Sequence, residues 1–178
     1  MPMETRCVHG NAIVAETLSP DLAQVTQNGT SLAYTDIVGL RQGFVHTYQG
    51  NTHSFPWFHA MIPTPAVING QQTRLDSVFV LYRTARHVAV REVHVWDGQH
   101  FTKGFLVNNG FGDKTSAPPN DPFLEGENSF TIPRGEKPEV FFGVGVSIHV
   151  EFGLPEVHPT PGELPIIQFI SAGAHFFY

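Results

Sequence analysis

Ten histidines are spread through the 178 residues, and imidazole is the one side chain that changes charge near neutral pH without help from its surroundings. None of them falls in a His-x-His, His-Glu-x-x-His or paired-cysteine spacing, the patterns that bring ligands to one face at bonding distance. No metal site is therefore expected; the one scattered alternative combines His149 and Glu151 on a shared strand face with His94 from a neighbouring strand. Serine chemistry has no support either, because there is no Gly-x-Ser-x-Gly elbow to expose a nucleophile beside a base. Gly110-Phe111-Gly112 lacks the preceding strand and following helix of a phosphate-cradling loop, so no nucleotide cofactor is expected.

One stretch stands out. Over residues 140–152, Phe142, Val144, Val146, Ile148, Val150 and Phe152 alternate with Phe141, Gly143, Gly145, Ser147, His149 and Glu151, the period-two pattern of a strand with one apolar face. On the second face Gly143, Gly145 and Ser147 leave space. The bland reading is a solvent-facing strand with a bulge or a close backbone approach at the glycines. The functional reading is a hollow walled by aromatic residues, the mostly apolar pocket with few polar groups that small molecules favour. In it His149, His94 or Tyr82 would polarise a carbonyl or move a proton, with Trp57, His59, Trp96, Phe141, Gly143, Gly145, Ser147 and Glu151 contacting the substrate. A dry cavity that holds a flexible apolar molecule folded on itself lowers a cyclisation barrier through orientation alone. The leading expectation is thus a cofactor-independent cyclase or isomerase of natural-product type, a Diels–Alder cyclase included, acting on a small apolar molecule.

Two other classes compete. In a lectin-like sandwich, Trp57 and Trp96 would stack on a sugar ring while loop Asn and Asp residues bind hydroxyls; this requires exposed tryptophans, whereas the cyclase requires buried ones. In a structural domain, exposed Phe residues would bury against a second copy as a homodimer.

The elements that must position these residues are short strands. Seventeen glycines and fourteen prolines are distributed throughout, and no segment keeps an apolar period of 3.6 for three turns. Residues 88–97 and 101–107 read as a hairpin, since Asp97-Gly98 supplies the positive φ angles of a tight turn. Residues 74–82 end in an apolar run suited to a central strand covered on both faces. Further strands are expected near 12–16, 43–48, 57–62, 129–132, 166–170 and 174–178, with long surface loops at 108–126 and 153–165. The sum is a single β-domain over 1–178, all-β, an antiparallel β-sandwich (jelly-roll-like) or flattened β-barrel.

Composition narrows the setting. Cys7 is the only cysteine and excludes an intrachain disulfide, which fits a reducing, cytoplasmic compartment. Residues 1–10 carry Glu4, Arg6 and His9 with no apolar run, unlike a secretory signal or anchor, so Asn28-Gly29-Thr30 reads as a turn and not as a glycosylation site. A net charge of −6 with no basic cluster argues against nucleic acid as a partner, and no apolar run approaches membrane-spanning length.

His9-Gly10-Asn11, Trp57-Phe58-His59 leading into Ile62-Pro63-Thr64-Pro65, Val93-His94-Val95-Trp96-Asp97-Gly98, Phe142-Gly143-Val144-Gly145-Val146-Ser147 and Ala172-Gly173-Ala174 follow one another in an order that resembles an uncharacterised family of small microbial all-β domains, a domain of unknown function. The resemblance implies the fold class and no catalytic residue. The chain departs from the family in its 108–126 loop and at His158-Pro159-Thr160-Pro161.

Overall fold

Alternation of apolar and polar side chains forces strands here, and the parity of that alternation decides which side of each strand is buried. The computed structural model describes residues 2–16, 38–50, 54–115, 128–153 and 164–178. In chain order the strands are β1 (Met3–His9), β2 (Val14–Ala15), β3 (Val38–Gln42), β4 (Val45–Gln49), β5 (Trp57–Met61), β6 (Val67–Ile68), β7 (Gln71–Gln72), β8 (Arg74–Thr84), β9 (Val88–Asp97), β10 (His100–Leu106), β11 (Asp113–Lys114), β12 (Ser129–Thr131), β13 (Val144–Phe152) and β14 (Ile166–Phe177). A short 3-10 turn, Gly10–Ala12, joins β1 to β2.

The strands form two antiparallel sheets packed as a sandwich. The larger runs β11-β8-β14-β4-β3, with β1 also on β14 and β12 also on β8, and the smaller runs β10-β9-β13-β5-β2. Among the described residues neither closes on itself, so of the two expected architectures the sandwich is the one formed. Strands β6 and β7 make a separate small hairpin whose turn residues Asn69 and Gly70 both have positive φ. Between the sheets lie Val78, Val80, Tyr82, Ile167, Phe169, Ala172, Ala174 and Phe176 from β8 and β14, against Phe58, Ala60, Val93, Val95, Val146, Ile148, Val150 and Phe152 from β5, β9 and β13. At roughly 1.5–3 kcal/mol for each large apolar side chain removed from water, this row is the main stabilising term.

Several expectations need correcting. The expected strand at 140–152 begins only at Val144; Phe142 does not continue the core row but is 73% exposed, because the backbone turns at Gly143, whose φ is 127°. A strand precedes the first one expected near 12–16: β1 pairs with β14 from Met3 opposite Phe177 to His9 opposite Ser171. The two strands expected over 166–178 are one, carrying irregular register near Ile170 and again between His175 and Phe176. The first shift moves the buried row from Ile167 and Phe169 to Ala172, Ala174 and Phe176, which is why a single period could not be followed through it. The Asn28-Gly29-Thr30 turn, the His158-Pro159-Thr160-Pro161 insert and most of the two expected long loops lie outside the described residues. Among the described residues no helix is long and apolar enough to cross a membrane.

Candidate functional site

Strand β13 is the middle of the smaller sheet, and its neighbours place the candidate residues in rungs across the sheet's outer face. Gly145 stands opposite Met61 on β5 and Trp96 on β9; Ser147 opposite His59 and His94; His149 opposite Trp57 and Glu92. The edge strand β10 extends the rungs with Phe101 opposite Trp96 and Gly104 opposite His94. Seven of the residues singled out from the sequence, His149, His94, Trp57, His59, Trp96, Gly145 and Ser147, are thereby brought to one face, with Glu151 at its end.

A bulge in β9 makes this possible. Register shifts between His149/Val150 and the facing Glu92/Val90, leaving Arg91 as the extra residue. Val88 and Val90 are buried on one side of the bulge and Val93 and Val95 on the other. The shift in parity keeps all four valines in the core while Glu92, His94 and Trp96 turn outward. Arg91 itself is anchored by an ion pair to Glu151, Nε to Oε2 2.5 Å.

The rings on this face touch. Trp57 stacks on His149, centroids 4.7 Å apart and planes 17° from parallel, and also meets the His94 ring at 4.6 Å. Phe101 sets its edge against both His94 and Trp96. Polar contacts run between the rings: His94 Nε2 lies 3.0 Å from Glu92 Oε2, His59 Nδ1 lies 2.9 Å from Ser147 Oγ, and His59 Nε2 is 3.9 Å from Glu16 Oε2. Burial holds His149 below the ordinary histidine value, an effect that the nearby Glu92 carboxylate and then the Phe55 backbone and Glu151 offset only in part. Its Nδ1 and the indole Nε1 of Trp96 are shut from solvent without a hydrogen-bond partner.

Glu16, His59 and Ser147 stand in the order acid, base, nucleophile. Ser147, however, sits in mid-strand with β13 paired on both sides, not on the exposed turn that presents a serine nucleophile. The contact fixes the His59 ring instead. Among the described residues no three His, Cys, Asp or Glu side chains converge closely enough to hold a metal ion.

Three of the expected site residues lie elsewhere. Tyr82 is on β8 of the other sheet and points into the core, fully buried, its hydroxyl without a partner and pushed well above the ordinary phenol value by burial; the thickness of the sandwich separates it from His149 and His94. Phe141 is exposed, and Gly143 precedes β13 with a positive φ of 127°; both belong to a loop held by Asp97. The Asp97 carboxylate accepts N–H bonds from Phe141, Phe142 and Gly143 at 2.9, 2.8 and 2.9 Å, a nest of amides closed on an anion.

The face is not the closed chamber expected from the sequence. Met61 is 68% and Phe101 55% exposed, and the side chains of His59, His94 and Glu92 are partly open to water. The glycine-bearing side of β13 is crossed by side chains of its neighbours: a Cβ on Gly145 would touch Met61 and Trp96 at 3.7 Å. A cavity of about 280 Å3 lies apart from these residues, lined by Gln71, Gln72, Arg74, Phe177 and Tyr178. Glu92, Met61, Phe101 and Glu16 were not singled out from the sequence. For Glu92 the signal was present, since it alternates with His94 and Trp96 in the run from Glu92 to Trp96.

A family model described as a family of unknown function (DUF6623) matches residues 35–160. No curated protein and no solved structure matches the chain. Several of the short segments on which the resemblance rested hold structural contacts: Gly10 packs under the Phe169 carbonyl, Thr64 Oγ1 accepts the Val144 N–H at 2.9 Å, and Gly173 lies beneath the Phe79 ring and beside the Arg6 carbonyl.

Proposed function

We propose that this chain, which belongs to the DUF6623 family of unknown function, is a non-catalytic, lectin-like binding module whose ligand lies on the outer face of the smaller sheet. The observation that carries the reading is a row of aromatic rings on this face, the half-buried Trp57 and Trp96 beside the exposed Phe101, interleaved with His59, His94 and Glu92. A saccharide presents flat C–H faces rimmed by hydroxyls. Aromatic rings take the first and imidazole or carboxylate groups take the second, because each hydroxyl is at once donor and acceptor. Cyclisation of an apolar chain asks for the opposite environment, a water-excluding enclosure, and the exposure of Met61 and Phe101 weighs against it.

The chain has two tryptophans, both on this face, so intrinsic fluorescence reports directly on it. Titration with neutral oligosaccharides should shift the emission saturably. Iodide should quench both tryptophans, and bound sugar should protect them; Trp57→Ala and Trp96→Ala should each weaken binding about tenfold or more, the ordinary range for losing one stacking anchor. A response to farnesol with none to any oligosaccharide would return the site to the cyclase reading.

A further inference from the structure

Arg74, the first residue of β8, has Phe177 of β14 opposite it on one side and Glu139 on the other. Residues directly opposite in antiparallel strands point to the same face, so guanidinium, phenyl ring and carboxylate share one surface. Arg74 Nη2 donates to Glu139 Oε1 at 2.9 Å. The β6–β7 hairpin stands beside this rung, tied down where the Gln72 carboxamide donates to the Val140 carbonyl. The step between hairpin and rung is the cavity of about 280 Å3 lined by Gln71, Gln72, Arg74, Phe177 and Tyr178. Two cations stand at it, and each already has a carboxylate: Arg74 has Glu139, and Lys137, whose Nζ lies 5.2 Å from the Phe177 ring centroid, has Asp76. An anion entering here would meet no unneutralised charge. What the cavity offers instead is aromatic surface, the carboxamide of the exposed Gln71 and the N–H groups of Arg74 that Glu139 does not use.

We infer that this cavity binds a small, uncharged, planar nitrogen heterocycle, of the size of a nucleobase. Such rings stack on aromatic side chains, which here are Phe177 and Tyr178. Along their edges they carry neighbouring donor and acceptor atoms. The side-by-side N–H and C=O of a carboxamide match such a pair with two hydrogen bonds, and the fork of a guanidinium matches two neighbouring acceptors; Gln71 and Arg74 supply these groups. The volume lies at the lower end of the range of about 300–1,000 Å3 typical of small-molecule sites, which limits the occupant to one or two rings. The cavity is apart from the outer face of the smaller sheet, and its ligand does not depend on the carbohydrate reading.

The test titrates the full, isotope-labelled chain with adenine, cytosine and benzoate and follows the backbone amides by NMR. Adenine or cytosine should shift the amides of Gln71, Gln72, Arg74, Phe177 and Tyr178 saturably, and benzoate, a ring of similar size with a negative charge, should bind at least about tenfold more weakly. Gln71→Ala and Phe177→Leu should each weaken base binding about tenfold. Gln71 is exposed, so its variant keeps the fold and remains informative if Phe177→Leu does not. Trp57→Ala should leave base binding unchanged while weakening that of sugar, which separates the two sites. Benzoate binding as tightly as the bases, or base binding that ignores Gln71→Ala, would overturn the inference. So would the lack of any saturable shift at these five amides, with the carbohydrate reading left standing in every case.

Discussion

Trp57 lies flat on His149, ring centroids 4.7 Å apart and planes 17° from parallel, and covers one side of an imidazole that burial holds below its ordinary value. A stacked, half-buried imidazole is favoured neutral, since burial penalises its charged form more than the neighbouring carboxylates restore it. His175 on the other sheet is also held below the ordinary value of 6.5 by burial, with Asp76 opposing.

For both histidines the folded value is lower than the unfolded one, so between the two values the unfolded chain binds more protons and stability rises with pH. The stabilising effect of keeping them neutral is complete above 6.5 and is lost as pH falls below it. Thermal unfolding followed from about pH 7 to about pH 5 should show a melting temperature that declines by a few degrees. His149→Phe retains a ring for Trp57 and should flatten part of that decline; an unchanged slope would separate His149 from it.

Gly10, in the turn after β1, and Gly145, on β13, should respond very differently to one methyl group. A Cβ on Gly10 would stand 1.8 Å from the Phe169 carbonyl oxygen, whereas on Gly145 it would make only 3.7 Å contacts. Gly10→Ala should cost about 3 kcal/mol or more and Gly145→Ala less than about 0.5 kcal/mol, as read by urea denaturation.

Asp97 joins the β9–β10 turn to the loop before β13 through three amide hydrogen bonds. Asp97→Ala leaves those amides without their anion and should cost about 2–3 kcal/mol, Asp97→Asn less because one acceptor oxygen survives. Hydrogen exchange should localise the effect to the amides of Phe141, Phe142 and Gly143; uniform acceleration across β13 would indicate global unfolding in place of a released loop.

Tyr82→Phe removes a buried hydroxyl that has no partner. Its melting temperature should stay the same or rise, because an unsatisfied polar group carries a desolvation cost of about 1–3 kcal/mol. Sugar binding should be unaffected. A variant that binds more weakly would tie the core phenol to the outer face.

The aliphatic row of β13 was legible from the sequence because period two is a local property, and the turn after β9 because a positive φ, 58° at Gly98, narrows the residue choice sharply; Asp97 was expected to share that conformation but stays in β9, paired with His100. Trp57, His59, Trp96, Gly145, Ser147, His94 and His149 share one face of the smaller sheet, since each alternates with core residues on its own strand. The grouping failed for Tyr82: residues 78–82 are Val-Phe-Val-Leu-Tyr, apolar at every position, and such a run does not say which face looks inward. It failed also for Phe141, as the inward row failed at Phe142, because alternation persists in the sequence where the backbone has left the sheet at Gly143.

The sequence by itself determined the class of fold, the strand-forming runs and the inward row of valines, because these follow from side-chain chemistry acting over a few residues. Which strands became neighbours, where Arg91 bulges and whether the small residues of β13 line a chamber or an open face were decided only by the tertiary structure. Those properties depend on contacts between segments far apart in the chain, such as Trp57 with His94 and Ser147 with His59. A local pattern restricts such contacts without selecting among them, and their energies act only once β5, β9 and β13 have paired.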